Sequence, residues 1–110
     1  MPHDFFSEFL SSGDTLRVYQ GNQLTFSSSK DRLLALLEYI DQFEPQPRPV
    51  VIFDKIMGNA AALLSVKAGS REVYSPLGSQ LAVKTFDKYD ITYHITEIVP
   101  YIQKPDKKDL

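Results

Sequence analysis

Apolar residues near the N-terminus, and again between positions 33 and 43, recur every three or four residues, which is the spacing of an amphipathic helix. Gly13 can end the first of these helices, and three prolines after residue 44 end the second. A third helix, nearly all apolar, follows residue 54 and is expected to bury Leu63 and Leu64, while Ser79 caps a fourth. We therefore predict helices over residues 3–11, 30–43, 56–67 and 79–89.

Two β-prone runs between the first and second helices predict an antiparallel hairpin. The runs cover residues 16–19 and 24–26. Gly21 and Asn22 lie between them and can supply the positive φ angles of a tight turn. We expect this pair to form one end of a sheet.

Three later runs predict strands that are joined through helices. Residues 50–53 are all apolar, which is typical of a central parallel strand with both faces covered. Residues 72–74 form a short strand before a predicted turn at 75–78, and residues 91–96 alternate between apolar and polar. Because strand–helix–strand crossovers are right-handed, we expect these strands to run parallel in a mixed five-strand sheet, within an α/β domain of three layers, α/β/α.

The composition suits one domain and disfavours two kinds of partner. We assign residues 1–110 to a single domain, with a core at about 14–102 and a polar tail at 103–110. The 12 Lys and Arg residues against 14 Asp and Glu give a net charge of -2, and no predicted helix carries a basic stripe, so we expect no nucleic-acid partner. There is no signal-peptide pattern and no apolar run of about 20 residues, which predicts a cytoplasmic protein without a membrane partner.

The chain has no cysteine, which excludes disulfides, thiolate nucleophiles and every zinc site built on sulfur. The two histidines lie far apart in the sequence and no third metal ligand accompanies them. We therefore expect neither a metal nor another cofactor.

Residues 50–64 carry a string that resembles a known family. The apolar strand is followed by Asp54, Lys55, Gly58 and a run of alanines, which is similar to the strand-Asp-Lys-x-x-Gly-x-Ala-Ala core of the prokaryotic family called domain of unknown function 1893. Residues 72–74 and 99–102 fall where that family has similar strings, so the resemblance covers roughly residues 14–102. It implies a cytidine-deaminase-like fold, and the family itself has no established activity.

The chain departs from the active members of that wider superfamily. In those active members, as the resemblance implies, a His-x-Glu or Cys-x-Glu motif opens the second helix and Pro-Cys-x-x-Cys opens the third. Together these motifs bind one zinc ion. Here residues 28–31 read Ser-Ser-Lys-Asp and residues 54–58 read Asp-Lys-Ile-Met-Gly. Sequences of the family often have an Arg-Asp-Gly string and a late Cys near the C-terminus. This chain has other residues there, at positions 103–108. We expect a cytidine-deaminase-like domain that lacks the zinc site and is not a zinc-dependent deaminase.

The candidate ligand-binding residues are Asp54, Lys55, Gly58, Asn59 and Ser29. They surround the point where a parallel strand ends and a helix begins, which is where open α/β sheets place ligands and where free N–H groups attract anions. A lysine in a first helical turn costs about 0.3–1 kcal/mol, which suggests that it meets an anion. The simpler alternative is that Asp54 and Ser29 cap helices, Gly58 packs a helix and Lys55 is a surface charge.

Three classes of function stay open. We favour a non-catalytic ligand-binding or regulatory module, with a metal-free pocket at the starts of the second and third helices that takes a nucleotide or another phosphorylated metabolite. Asp54 and Asp31 oppose an anion there, which favours a ligand with a hydroxyl or amine beside its phosphate. The alternatives are a protein-interaction module that assembles with a partner or as a homo-oligomer, and a metal-independent enzyme using Asp54 and Lys55.

Overall fold

The computed structural model describes residues 2–31 and 33–102, and within them it has four helices and five strands. In chain order these are α1 (Pro2–Ser11), β1 (Leu16–Gln20), β2 (Gln23–Ser28), α2 (Leu33–Gln42), β3 (Val50–Asp54), α3 (Asn59–Lys67), β4 (Ser70–Ser79), α4 (Gln80–Lys88) and β5 (Thr92–Val99). The predicted polar tail lies outside the described residues.

The five strands form one mixed sheet in the order β2-β1-β3-β4-β5. β1 is antiparallel to both β2 and β3, whereas β3, β4 and β5 run parallel. Gly21 takes a φ of +62° in the turn between β1 and β2, a conformation that glycine adopts without strain. The predicted hairpin and the three parallel strands are therefore confirmed.

Helices cover both faces of the sheet. Successive side chains of a strand point to opposite faces, so Val50 and Ile52 pack into a core with α2, α3 and α4, whereas Val51 and Phe53 pack under α1. Every residue of β3 is buried, as the apolar run predicted. Strand β3 is therefore held between two packed layers.

An aromatic stack fills the layer beneath α1. Phe53 lies face to face with Tyr74 at a centroid distance of 4.9 Å, and Phe6 of α1 lies 5.7 Å from Tyr74. Phe9 is fully buried and makes an edge-to-face contact with Phe53, with centroids 6.0 Å apart. Phe5 stacks on Tyr19 at 4.4 Å. Helix α1 is thus attached to the sheet mainly by ring contacts.

The predicted turn at residues 75–78 is wrong, because β4 continues through it to Ser79. Leu77 and Gly78 pair with Glu97 and Ile98 of β5. Gly78 allows a close approach here, since a Cβ atom at this position would lie 2.8 Å from Cδ1 of Ile95 and 3.3 Å from the carbonyl oxygen of Met57. A proline and a glycine that suggest a turn are here accommodated within a strand.

Helix α3 begins three residues later than predicted. The N–H of Met57 donates to the carbonyl of Leu77 at 2.8 Å, and the N–H of Ser79 donates to the carbonyl of Met57 at 3.0 Å. Met57 therefore prolongs the pairing with β4 and cannot be helical. The expected burial of Leu63 is also wrong: its side chain is 48% exposed, because the small residues Ala61 and Ala62 form the inward face of α3.

Candidate functional site

Asp54 is a buried carboxyl at the end of β3. It is only 6% exposed, and its Oδ1 accepts a hydrogen bond from the N–H of Ile56 at 3.3 Å. Burial raises the pKa of Asp54 to about 7, against a smaller lowering by backbone N–H groups of Ile56 and Lys55. Asp54 does not cap α3, because Gly58 occupies the N-cap position. Both protonation states of this carboxyl are therefore accessible near neutral pH.

Lys55 points away from Asp54 and holds the loop that joins α1 to β1. Its Nζ donates to the carbonyl oxygens of Ser12 at 3.1 Å and Asp14 at 2.8 Å, and it lies 4.7 Å from the centroid of the Phe9 ring. Its backbone N–H donates to the carbonyl of Thr15 at 3.2 Å. Two of the three donors of the ammonium group are thus used by protein acceptors, and the residue is not in the first turn of a helix.

A cleft of about 200 Å³ opens at the carboxyl end of β3. Its lining residues are Thr15, Asp31, Asp54, Lys55 and Ile56. Because β1 is antiparallel to β3, the residue before β1 lies beside the end of β3. Asp31 comes shortly before α2, and Asp54 comes before α3. The segments that enter these two helices therefore meet in one cleft.

Three of the predicted site residues do not line this cleft. Asn59 accepts a hydrogen bond at its Oδ1 from the hydroxyl of Thr85 at 2.6 Å, which joins α3 to α4. Gly58 is buried at the start of α3. Ser29 is exposed, and it is Ser28 whose hydroxyl accepts from the N–H of Lys30 at 3.1 Å. The structure thus brings Asp54 and Lys55 together at the site and places the other three elsewhere.

Thr15 and Ile56 are site residues that the sequence interpretation missed. The hydroxyl of Thr15 donates to the carbonyls of Ser28 and Lys30, which connects the start of β1 to the segment before α2. An antiparallel pairing of β1 with β3 would have pointed to Thr15, but the sequence indicated only the pairing of β1 with β2.

The described lining of the cleft is acidic. Asp31 and Asp54 contribute carboxyls, while the ammonium of Lys55 is bound to carbonyl oxygens. Lys30, in the segment before α2, pairs with Glu38 at 2.9 Å. The anion that Lys55 was expected to meet would therefore compete with two protein carbonyls for its ammonium group.

A second, mainly apolar groove of about 390 Å³ adjoins the cleft. Its lining residues are Ile56, Leu77, Glu97, Val99, Tyr101 and Ile102. The side chain of Ile56 lines both spaces and is 39% exposed. The two spaces therefore form neighbouring parts of one concave surface at the carboxyl ends of the parallel strands.

The described residues lack two features, a cluster of metal ligands and a membrane-spanning helix. Across residues 2–31 and 33–102, no three His, Cys, Asp or Glu side chains lie close enough together to bind a metal ion. None of the helices in that part of the chain has the length and apolar character needed to cross a bilayer.

The fold and the cleft define an α/β domain with a mixed five-strand sheet and a concave site at the carboxyl end of its central strand. The sequence model of the family described as domain of unknown function (DUF1893) matches residues 6–110, and the chain belongs to this family. The crystal structure of a DUF1893 family protein, TM1506 from Thermotoga maritima, superposes with a TM-score of 0.85 over 99% of this chain and 73% of that chain, at 22% identity. This likeness shows the shared fold. No curated protein gives a significant match.

Proposed function

We propose that this protein is a non-catalytic ligand-binding or regulatory module and that the cleft at the end of β3 is its binding site. The observation that supports this proposal is the burial of Asp54 in the wall of the cleft. A buried carboxyl is costly unless polar groups satisfy it, and the described partners of this carboxyl are backbone N–H groups. A ligand that donates a hydrogen bond to Asp54 would compensate for that cost.

The geometry favours a ligand that presents a donor, an amine or a hydroxyl, to the cleft. Asp31 and Asp54 both accept hydrogen bonds when ionised. The nucleotide or phosphorylated metabolite expected from the sequence can supply such a donor from its base or sugar. Its phosphate would compete with two carbonyl oxygens for the ammonium of Lys55, which already donates to Ser12 and Asp14.

We also infer that the fold is of the cytidine-deaminase-like type without its zinc site. The segments before α2 and α3 meet in one cleft, which agrees with the two helix starts that carry metal ligands in that superfamily. In this chain those segments contribute Asp31 and Asp54. The cytoplasmic location stays a prediction from the sequence.

The arrangement of Asp54 and Lys55 favours binding over catalysis. Acid–base cooperation requires the two side chains to reach the same reacting group. Here the carboxyl of Asp54 lines the cleft, whereas the ammonium of Lys55 is held at the loop after α1. The metal-independent enzyme is therefore the weaker alternative.

The test is a thermal-shift screen of nucleotides, nucleosides, sugar phosphates and amines, followed by calorimetry of each hit on variants. Asp54→Asn and Asp31→Asn should each weaken binding about tenfold or more, because a hydrogen bond to a charged group is worth about 1.5–3 kcal/mol. Asp41→Asn, an exposed aspartate of α2 outside the cleft, is the matched control and should bind as the parent does.

Two outcomes would count against this site. If a hit binds both cleft variants as tightly as the parent, the site lies elsewhere. If the screen yields no hit, the protein-interaction or homo-oligomer alternative becomes the better hypothesis. Because Asp31 is exposed, its variant should fold even if the change at the buried Asp54 disturbs the structure.

A further inference from the structure

The acidic cleft and the apolar groove meet at one side chain. Ile56 lines both of them, and an apolar side chain with 39% exposure at this position offers a surface that a ligand can cover. The volumes, about 200 Å³ and 390 Å³, together fall within the range of about 300–1,000 Å³ that is usual for small-molecule sites. A single ligand can therefore occupy both.

The charges around the two spaces are mainly negative. Asp31 and Asp54 line the cleft, and Glu97 lines the groove. Lys55 is the one cation among the described lining residues, and its ammonium donates to the carbonyls of Ser12 and Asp14. An anionic ligand would meet three carboxyls and a single cation that already donates to two carbonyl oxygens, whereas a positively charged group would find complementary acceptors.

The groove is mainly apolar. Leu77, Val99 and Tyr101 join Ile56 in its wall, and Tyr101 is 52% exposed. Burial of apolar surface is favourable in proportion to the area removed from water. An apolar portion of the ligand would therefore gain affinity here.

We propose that the ligand of this site is an amphipathic amine, whose amino group lies beside Asp54 and whose apolar portion crosses Ile56 into the groove formed by Leu77, Val99 and Tyr101. The proposal rests on the proposed function and names its ligand class. The acidic lining supplies the selectivity for the amine, and the groove supplies affinity that grows with apolar length.

The probe is a series of straight-chain alkylamines from four to eight carbons, compared with alcohols and carboxylic acids of equal length. Binding is measured by calorimetry on the full chain. We expect the affinity for the amines to rise about threefold to fourfold per added methylene, which corresponds to about 0.8 kcal/mol for each buried CH₂. The matching carboxylic acids should bind at least tenfold more weakly.

Variants separate the two halves of the site. Asp31→Asn and Asp54→Asn should weaken the whole amine series by a constant factor and leave the gain per methylene unchanged. Ile56→Ser and Tyr101→Ala, both at exposed side chains, should reduce that gain and leave the preference for amines over alcohols. Leu81→Ala, an exposed leucine of α4 that lines neither space, is the control and should change neither.

The outcomes distinguish this inference from the proposed function. If a ligand of another chemistry binds and is lost in the Asp31 and Asp54 variants while no amine binds, the site stands and the amphipathic amine is overturned. If amines bind equally to the parent and to both aspartate variants, the proposed site itself fails. If alcohols bind as tightly as amines, or affinity does not rise with chain length, the ligand class is wrong.

Discussion

The carboxyl of Asp54 couples the stability of the fold to pH. In the unfolded chain this group titrates near 3.8, whereas burial raises its pKa in the folded chain to about 7. Between these two values the folded state holds a proton that the unfolded state has released. The contribution of this residue to the free energy of unfolding is therefore fully present below about pH 4 and is lost as the pH rises through 7.

Replacement by asparagine removes this dependence. We expect Asp54→Asn to gain stability relative to the parent as the pH rises from 4 to 8, by at most about 4 kcal/mol, because each pKa unit corresponds to about 1.4 kcal/mol. The measurement is the difference in the free energy of unfolding between variant and parent, from urea denaturation at both pH values. Groups common to both proteins cancel in that difference, and an equal difference at both pH values would refute the raised pKa.

At the scale of single elements, local sequence signals were overridden by pairing between strands. Pro76 and Gly78 suggest a turn, yet β4 runs through them because β5 pairs with its second half. Met57 likewise precedes a run of alanines that suggests a helix, but its backbone hydrogen bonds to β4 keep it extended. Helix α3 therefore begins only at Asn59. Such pairings join residues that are distant in sequence, so periodicity and turn signals could not reveal them.

The close approach at Gly78 predicts an interaction between two positions. Gly78→Ala should destabilise the protein by about 1–3 kcal/mol, because the added Cβ would lie 2.8 Å from Cδ1 of Ile95. Ile95→Val lacks that Cδ1 atom, so combining the two changes should cost less than the sum of the single changes. A double-mutant cycle from chemical denaturation measures this coupling, and strictly additive effects would contradict the contact.

An exposed leucine of α3 and a buried leucine of α2 should differ in their contribution to stability. Leu63 of α3 is 48% exposed, so Leu63→Ala should cost less than about 1 kcal/mol. Leu36 of α2 is 1% exposed, and Leu36→Ala should cost about 2–5 kcal/mol because it leaves a cavity. Denaturation of the two variants under the same conditions checks the contrast. Similar losses for both would mean that α3 is packed differently.

For the whole molecule, the sequence was enough to predict the number of helices and strands and the direction of the strands. It also pointed to the end of β3, where the structure has a cleft, since apolar runs that end in a polar residue mark the carboxyl edge of a parallel sheet. That this cleft is a binding site stays a proposal. The direction of the Lys55 side chain could not be predicted. Its acceptors belong to Ser12 and Asp14, about forty residues earlier, and come within reach only when β1 pairs with β3.

The aromatic stack beneath α1 gives the protein an optical signature. The chain has no tryptophan, so its near-ultraviolet circular dichroism arises mainly from six tyrosines, of which Tyr19 and Tyr74 lie in fixed ring contacts under α1. We expect Phe6→Ala, which removes a ring 5.7 Å from Tyr74, to reduce the near-ultraviolet signal while the far-ultraviolet spectrum of the sheet and helices persists. An unchanged near-ultraviolet spectrum would show that the rings keep their asymmetric setting without this contact. Loosening of a single layer could thus be followed without any added label.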